Sequence, residues 1–107
     1  MVDVADIMVC INLLTDLLPS LRDSLNMTQR ELAGIIGISR QSVIDLEHKN
    51  RKINRAVLIA MITFFSLRRE SAMILYEKGF YDLRYVSSLG FTTSTIQNLF
   101  DLIGGEP

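Results

Sequence analysis

The hydrophobic pattern begins with a helical stripe. Its apolar residues recur at alternating spacings of four and three: Ile7, Ile11, Leu14, Leu18, Leu21 and Leu25. This period predicts a helix from about Asp3 to Leu25. Pro19 lacks a backbone N–H and its ring clashes one turn back. A kink or a restart is therefore expected near Thr15 to Asp16, with Asp16 as the cap of the second part.

Two shorter helices joined by a tight turn follow the stripe. Thr28 and Glu31 have the spacing of a capping box, which starts a helix. Gly37 can adopt the left-handed conformation that a sharp turn requires. Ser39 can cap the next helix. We therefore predict a helix, a turn and a second helix over about residues 39–48.

The next segments are also expected to be helical. Residues 56–65 are apolar throughout and suit a central core helix, although their propensity also allows a strand. A further helix is predicted from Ser66 or Leu67 to Lys78. Gly79 then stops it, because glycine is the usual residue after the end of a helix.

The C-terminal part is expected to contain two more elements. A short helix or an extended segment ends at Gly90, and Thr92 or Thr93 then caps a last helix. The final residues, 104–107, should fray because nothing in their pattern holds them to a core.

The segment with the tight turn resembles a known DNA-binding motif. The matching residues are Thr28-Gln29, Glu31-Leu32-Ala33, Gly37-Ile38-Ser39-Arg40-Gln41-Ser42 and Glu47. This series at this spacing resembles the helix-turn-helix of the XRE family, the Cro and lambda-repressor-like domains, from about Leu18 to about Phe65. The resemblance implies an all-α fold: a lambda-repressor-like helix-turn-helix helical bundle with an N-terminal helical extension and extra C-terminal helices.

We interpret the 107 residues as one domain, because a chain of this length can build a single core. The helix-turn-helix core is assigned to residues 16–66. Extra helices, expected to serve dimerisation, occupy residues 1–15 and 67–103. Residues 1–15 form an N-terminal extension that is apolar on most sides. Either a partner subunit or the protein's own C-terminal helices must therefore cover it.

The second helix of the motif would be the recognition helix. Base contacts are expected from its outward side chains, Arg40, Gln41, Ser42 and Asp45. Arg40 can donate two hydrogen bonds to guanine, and Gln41 can pair in the same way with adenine. Asp45 could accept a hydrogen bond from cytosine or orient an arginine.

Contacts to DNA phosphates are expected at two places. The first turn of the helix that begins at Thr28 presents backbone N–H groups and a positive dipole end to a phosphate, and Thr28 and Ser39 are expected phosphate contacts. Gln29 stands where the family's glutamine contacts the DNA backbone and steadies the reading residues, so the resemblance implies a phosphate contact there. The second place is the basic loop (residues 48–52), where the family touches phosphate. Here Asn50 and Arg51 are the expected contacts.

The resemblance also implies a structural ion pair. Members of the family commonly pair an arginine near the end of the first helix with a glutamate near the end of the recognition helix. Arg22 and Glu47 stand at these positions. Both residues are expected to be scaffold rather than DNA contacts.

The net charge of −1 does not favour DNA binding by itself, but its distribution does. Residues 1–25 carry a net charge of −3, residues 26–69 carry +5 and residues 70–107 carry −3. Positive charge is thus concentrated on the segment that would face DNA. The acidic flanks are expected to face other subunits or solvent.

Several classes of site are not expected. A single cysteine, Cys10, and a single histidine, His48, can form neither an intramolecular disulfide nor a zinc site, and no cofactor is implied. No catalytic set of residues and no phosphate-binding loop is visible, so an enzyme is not expected. The apolar run from Ile7 to Leu18 is broken by polar residues and is too short to span a bilayer, so we expect a soluble, cytoplasmic protein without a membrane segment.

The chain contains an internal echo of its central segment. Residues 90–99, GFTTSTIQNL, resemble residues 37–46, GISRQSVIDL. A second DNA-reading helix is one interpretation. However, threonine and serine replace Arg40 and Gln41, no basic loop follows, and the surroundings are acidic. We therefore favour a dimerisation or core helix.

The leading hypothesis is a transcriptional repressor of bacterial or phage type. It would bind double-stranded DNA as a homodimer at a near-palindromic operator. The alternative is an antitoxin that binds a toxin and autoregulates its operon. A third possibility, an interaction module that has lost DNA binding, is disfavoured because Gln29, Arg40, Gln41 and the basic loop are retained.

Overall fold

The computed structural model describes residues 2–104, and within them the chain is helical without a β-strand. The elements are α1 Val4–Ser24, α2 Gln29–Ile36, α3 Arg40–Glu47, α4 Arg55–Ser66, α5 Arg69–Glu77, a 3₁₀ turn Phe80–Asp82, α6 Arg84–Ser88, α7 Thr93–Leu99 and a π-helical turn Phe100–Gly104. The predicted all-α fold is confirmed. The expected fraying of the chain end falls almost wholly outside the described residues, except for Gly104 in the π-helical turn.

Helix α1 is continuous, so the predicted restart at Asp16 is wrong. The helix begins with a capping box in which Asp3 and Asp6 each accept a hydrogen bond from the other's backbone N–H at 3.0 Å. It then runs through Pro19 to Ser24. A proline inside a helix costs ~3 kcal/mol. Leucines buried on both sides of it offset this cost: Leu14, Leu17, Leu18 and Leu21.

The N-terminal extension is covered on one side only. Cys10 and Leu14 are fully buried, and α1 packs against α5, α6 and the 3₁₀ turn. The protein's own C-terminal helices thus supply part of the expected cover. Val4, Met8 and Val9 remain exposed on the other side of the same helix. Burial raises the pKa of the Cys10 thiol to about 12, so it stays protonated and unreactive near neutral pH.

Helix α1 is also long and apolar enough to cross a membrane, judged by length and composition alone. An 18-residue window within its 21 residues has a mean hydropathy of 1.6. The run from Ile7 to Leu18, predicted to be too short for a span, is only part of this longer helix. Core helices of soluble proteins pass the same test, and α1 places Leu14, Leu18 and Leu21 in the core that it shares with the other helices.

Helices α2 and α3 form the tight pair that the capping residues predict. The hydroxyl of Thr28 accepts from the Glu31 N–H at 3.0 Å, and the Glu31 carboxylate accepts from the Thr28 N–H at 2.9 Å. Gly37 ends α2 with a φ of +90°. This left-handed conformation turns the chain so that Leu32 and Val43 are both buried in the core.

Helices α4 and α5 complete the bundle. Asn54 caps α4 by accepting from the Val57 N–H at 2.9 Å, and residues 56–65 are helical rather than extended. Gly79 ends α5 with a φ of +75°. The buried apolar side chains of all these elements belong to one hydrophobic cluster. Near its C-terminal end the Tyr81 hydroxyl donates to Ser66 at 2.9 Å.

Candidate nucleic-acid interface

The first turn of α3 directs two polar side chains into solvent. The Ser39 hydroxyl caps the helix by accepting from the Ser42 N–H at 3.0 Å. Arg40 and Gln41 follow the cap, and both are exposed. Residues in this part of a recognition helix reach base edges when the helix enters the major groove. The pair therefore has the location that the sequence assigned to base contacts.

Gln41 and Asp45 interact one helical turn apart. The Gln41 amide donates to the Asp45 carboxylate at 2.9 Å. Asp45 thus orients Gln41, whereas the sequence suggested an arginine as its partner. The amide of Gln41 retains its carbonyl oxygen and its second N–H, which are the two groups needed to pair with adenine.

Of the four expected base contacts, Ser42 is the least exposed to solvent. It is 6% exposed, and its hydroxyl lies 2.8 Å from that of Ser39. Its main visible role is in the cap of α3. A base contact would require the buried Ser42 side chain to become accessible, so the assignment stays a prediction.

Arg22 and Glu47 form an ion pair between α1 and the end of α3. The guanidinium donates to both carboxylate oxygens, at 2.6 and 3.2 Å. The two side chains are only 14% and 6% exposed. A third N–H of Arg22 donates to the Met27 carbonyl oxygen at 3.0 Å, which ties the loop before α2 to the same pair.

Gln29 is attached to this scaffold and still faces outward. Its amide nitrogen donates to a Glu47 carboxylate oxygen at 2.9 Å, and the side chain is partly exposed. One amide N–H remains for a phosphate. The backbone N–H groups of Gln29 and Arg30 lie in the first turn of α2, where a helix supplies no acceptor. This end of α2 therefore presents donors, as the sequence predicted.

The basic loop leaves α3 in a fixed conformation. A ring nitrogen of His48 donates to the Ile44 carbonyl oxygen at 2.8 Å, and the Asn50 N–H donates to the Asp45 carbonyl oxygen at 2.8 Å. The side chains of Asn50 and Arg51 are exposed. His48 is thus a capping residue at the end of α3, and the two expected phosphate contacts are accessible.

Lys49 behaves differently from its neighbours, and the sequence did not indicate this. Its ammonium group points back to α1, where it lies 3.0 Å from an Asp16 carboxylate oxygen. In the sequence, Lys49 is one more positive charge of the basic loop. Only the fold brings it to α1, because the two residues are 33 positions apart.

Two further arginines lie beside aromatic rings at the α4–α5 junction. The Arg68 guanidinium sits 3.7 Å from the centre of the Phe64 ring and donates to the Phe64 carbonyl oxygen at 3.1 Å. Arg69 lies 5.8 Å from the Phe100 ring. These contacts give both side chains a structural use in the bundle.

Residues 20–70 match the family model described as Helix-turn-helix, of the XRE type. No curated protein and no solved structure matches the chain. The matched segment begins inside α1 and contains α2, α3, the basic loop and α4. Among the described residues, no group of three or more His, Cys, Asp or Glu side chains could hold a metal ion. Residues 20–70 thus match an XRE-type helix-turn-helix, and this match supports a DNA-binding helix-turn-helix regulator.

Proposed function

We propose that the protein is a transcriptional repressor of bacterial or phage type that binds a near-palindromic operator as a homodimer. The observation that carries the proposal is the exposed pair Arg40 and Gln41 on a capped helix, held in place by the Arg22–Glu47 ion pair. Helix α3 enters the major groove, and its first turn reads base edges.

The roles within α3 follow from the hydrogen bonds already made there. Arg40 contacts guanine through its guanidinium. Gln41 contacts adenine, and Asp45 orients it through their 2.9 Å hydrogen bond. Ser42 contributes through the cap and has the least surface for a base. Asp45 keeps its second carboxylate oxygen, which can accept from cytosine while the first holds Gln41.

Phosphate contacts surround this reading surface. The first turn of α2 supplies the side chains of Thr28 and Gln29 together with backbone N–H groups. Ser39 lies at the start of α3, and the basic loop supplies Asn50 and Arg51. Charge supports this arrangement, because the exposed bases of residues 26–69 give the segment a net charge of +5. A soluble, cytoplasmic protein follows from a function on DNA.

A homodimer follows from the small number of base pairs that one recognition helix can read. Two copies would occupy half-sites one helical turn apart, about 34–36 Å. Exposed apolar residues offer surface for such an association. They occur on the N-terminal extension, at Val4 and Met8, and on the C-terminal helices, at Met73 and Tyr76. Light scattering at micromolar concentration should give the mass of a dimer, and a monomer alone would contradict this part of the proposal.

Selection of bound sequences from a random duplex pool tests the proposed function directly. We expect enrichment of a near-palindromic site. The affinity for it should fall steeply with salt, and Arg51→Ala should reduce the slope of log affinity against log salt by about 0.9, because one phosphate contact is lost. A pool that remains random after selection, with weak binding at low salt, would contradict the proposal.

An antitoxin is a second candidate function. The observation that favours it is the set of exposed apolar side chains on or beside the C-terminal helices: Leu67, Met73, Tyr76 and Leu102. A toxin could cover them while α3 binds the operon's own promoter. Co-expression with the product of the neighbouring gene should then yield a stable complex. A homodimer that excludes this product would leave the repressor as the better description.

A further inference from the structure

Lys49 adopts a backbone conformation that is unfavourable for its residue type. Its φ is +60°, in the left-handed region. Among the described residues, Asn26 is the other non-glycine residue with a positive φ, and asparagine tolerates this region well. Lysine has no local side-chain hydrogen bond that favours it. Contacts elsewhere must therefore hold Lys49 in place.

The Lys49 ammonium group finds three oxygen atoms on one turn of α1. It donates to the Asn12 carbonyl oxygen at 3.0 Å and to the Thr15 hydroxyl at 2.6 Å, and it pairs with Asp16 at 3.0 Å. An ammonium group has three N–H donors, so these contacts can use all of them. None of the three acceptors lies within residues 20–70, the segment matched to the family.

Thr15 is prepared for this contact. Its single O–H points to the carbonyl oxygens of Ile11 and Asn12, at 2.9 and 3.2 Å, which leaves the lone pairs of the hydroxyl to accept from Lys49. The Thr15 side chain is buried, so water does not compete freely for the hydroxyl. The buried hydroxyl should therefore contribute more to the contact than the Lys49–Asp16 pair, which is well exposed.

We propose that Lys49 is a positioning residue, which fixes the basic loop to α1, and that it does not bind phosphate. Asn50 and Arg51 follow it directly, so the backbone angles of Lys49 decide where their side chains point. Through this contact, α1 holds the basic loop in the position in which it can bind DNA. The DNA-binding test of this inference rests on the proposed function. A second test, on the free protein, measures the order of the basic loop and does not require DNA.

The dependence of DNA affinity on salt distinguishes the two roles of a lysine. Lys49→Met removes the ammonium group and keeps the side-chain length. We expect it to weaken binding by about three- to tenfold, as for one lost hydrogen-bonded contact, with the salt slope of the wild type. Lys49→Arg should retain most of the affinity because it keeps a charged donor. A drop in slope of about 0.9 that Lys49→Met also produces in the Arg51→Ala background would mark Lys49 itself as a phosphate ligand and overturn the proposal.

Lys52→Met is the matched control, because it removes the same charge from an exposed side chain of the same loop. If Lys52→Met lowers the DNA affinity, it should also lower the salt slope, because a charge near phosphate is then lost. Otherwise Lys52→Met should bind DNA as the wild type does. Thr15→Val tests the other side of the contact without changing charge. It should weaken binding as Lys49→Met does, and the double variant should lose little more than either single variant. Wild-type affinity of Thr15→Val in a folded protein would overturn the proposal.

Backbone ¹⁵N relaxation of the free protein tests the contact between Lys49 and α1 without DNA. Order parameters of residues 50–52 should fall in Lys49→Met and in Thr15→Val and stay unchanged in Lys52→Met. If the wild type binds no duplex, the proposed function fails. The order parameters of the loop still show whether the contact between Lys49 and α1 holds it in place. Unchanged order parameters of the loop in both Lys49→Met and Thr15→Val would overturn the proposed positioning role of Lys49.

Discussion

Helices α3 and α7 begin in nearly the same way. Each follows a glycine with a positive φ, +90° at Gly37 and +95° at Gly90. Each is then capped by a hydroxyl that accepts from the backbone N–H three residues on, at 3.0 Å from Ser42 to Ser39 and at 3.1 Å from Thr95 to Thr92. The echo between residues 37–46 and 90–99 is therefore a repeated local structure.

The two helices differ in what they present to solvent. Their buried positions correspond, because Val43 and Ile96 are both fully buried. At the exposed first turn, Arg40 and Gln41 of α3 are replaced by threonine and serine in α7. Thr93 uses its hydroxyl to donate to Asp82 at 3.1 Å. A cap and one apolar position thus define the local fold, while the exposed turn decides whether the helix can read DNA.

The far ends of the two helices are held by different interactions. Helix α3 ends at Glu47, which is bound by Arg22 and Gln29. The corresponding position after α7 is Phe100, which packs 6.3 Å from Tyr76 between ring centres. A polar network fixes a geometry more narrowly than an apolar contact, because each hydrogen bond requires a distance and an angle. This suits a helix whose outer side chains must meet base edges.

The largest effect is expected from breaking this polar network. Glu47→Ala leaves the nearly buried Arg22 guanidinium without its carboxylate, and the free energy of unfolding should fall by ~3–5 kcal/mol. Urea denaturation measures this change. The double variant Arg22→Met with Glu47→Leu should recover most of the loss, since no buried charge remains. A loss below ~1 kcal/mol for Glu47→Ala would mean that the pair behaves like a surface ion pair.

A smaller effect, on DNA rather than on folding, should separate the two exposed turns. Arg40→Ala should cost ~1–3 kcal/mol of binding free energy and relax the preference at one base pair. Thr93→Ala, at the corresponding position of α7, should leave both unchanged. Binding assays with a set of single-base-pair variants of the selected site measure both quantities. If Arg40→Ala kept its affinity and its sequence preference, α3 would not be the reading helix as assigned.

Much of this comparison could be predicted from sequence, because caps and glycines act locally. Thr28 and Ser39 both cap the helices expected of them. The apolar stripe predicts the extent of α1, but local rules could not predict that the helix passes Pro19 without a restart, because a proline favours a kink or a restart there. The leucines on both sides of it are buried by helices from the rest of the chain, and that packing outweighs the local cost.

The candidate site also combines features that local sequence signals predict with features that depend on contacts between distant parts of the chain. The exposed positions of Arg40 and Gln41 follow from helical period, and the Arg22–Glu47 pair was implied by the family resemblance. The hydrogen bond from Gln41 to Asp45 was not expected, although its spacing of four residues permits it. The attachment of Lys49 to α1 had no signal in the sequence. It depends on a positive φ and on contacts between distant parts of the chain.

The smallest effects should come from the two caps, and they test what the helices share. Ser39→Ala and Thr92→Ala each remove one hydroxyl acceptor, so each should lower the free energy of unfolding by ~0.5–2 kcal/mol, as measured by thermal denaturation. DNA affinity should distinguish them. Ser39→Ala loosens the turn that carries Arg40 and should weaken binding, whereas Thr92→Ala should not. Ser39→Gly is the control, because glycine at a cap costs only a few tenths of a kcal/mol, about 0.3. If Thr92→Ala weakened binding as much as Ser39→Ala at equal stability, α7 would have to contribute to DNA recognition, and the likeness of the two helices would extend from their caps to their function.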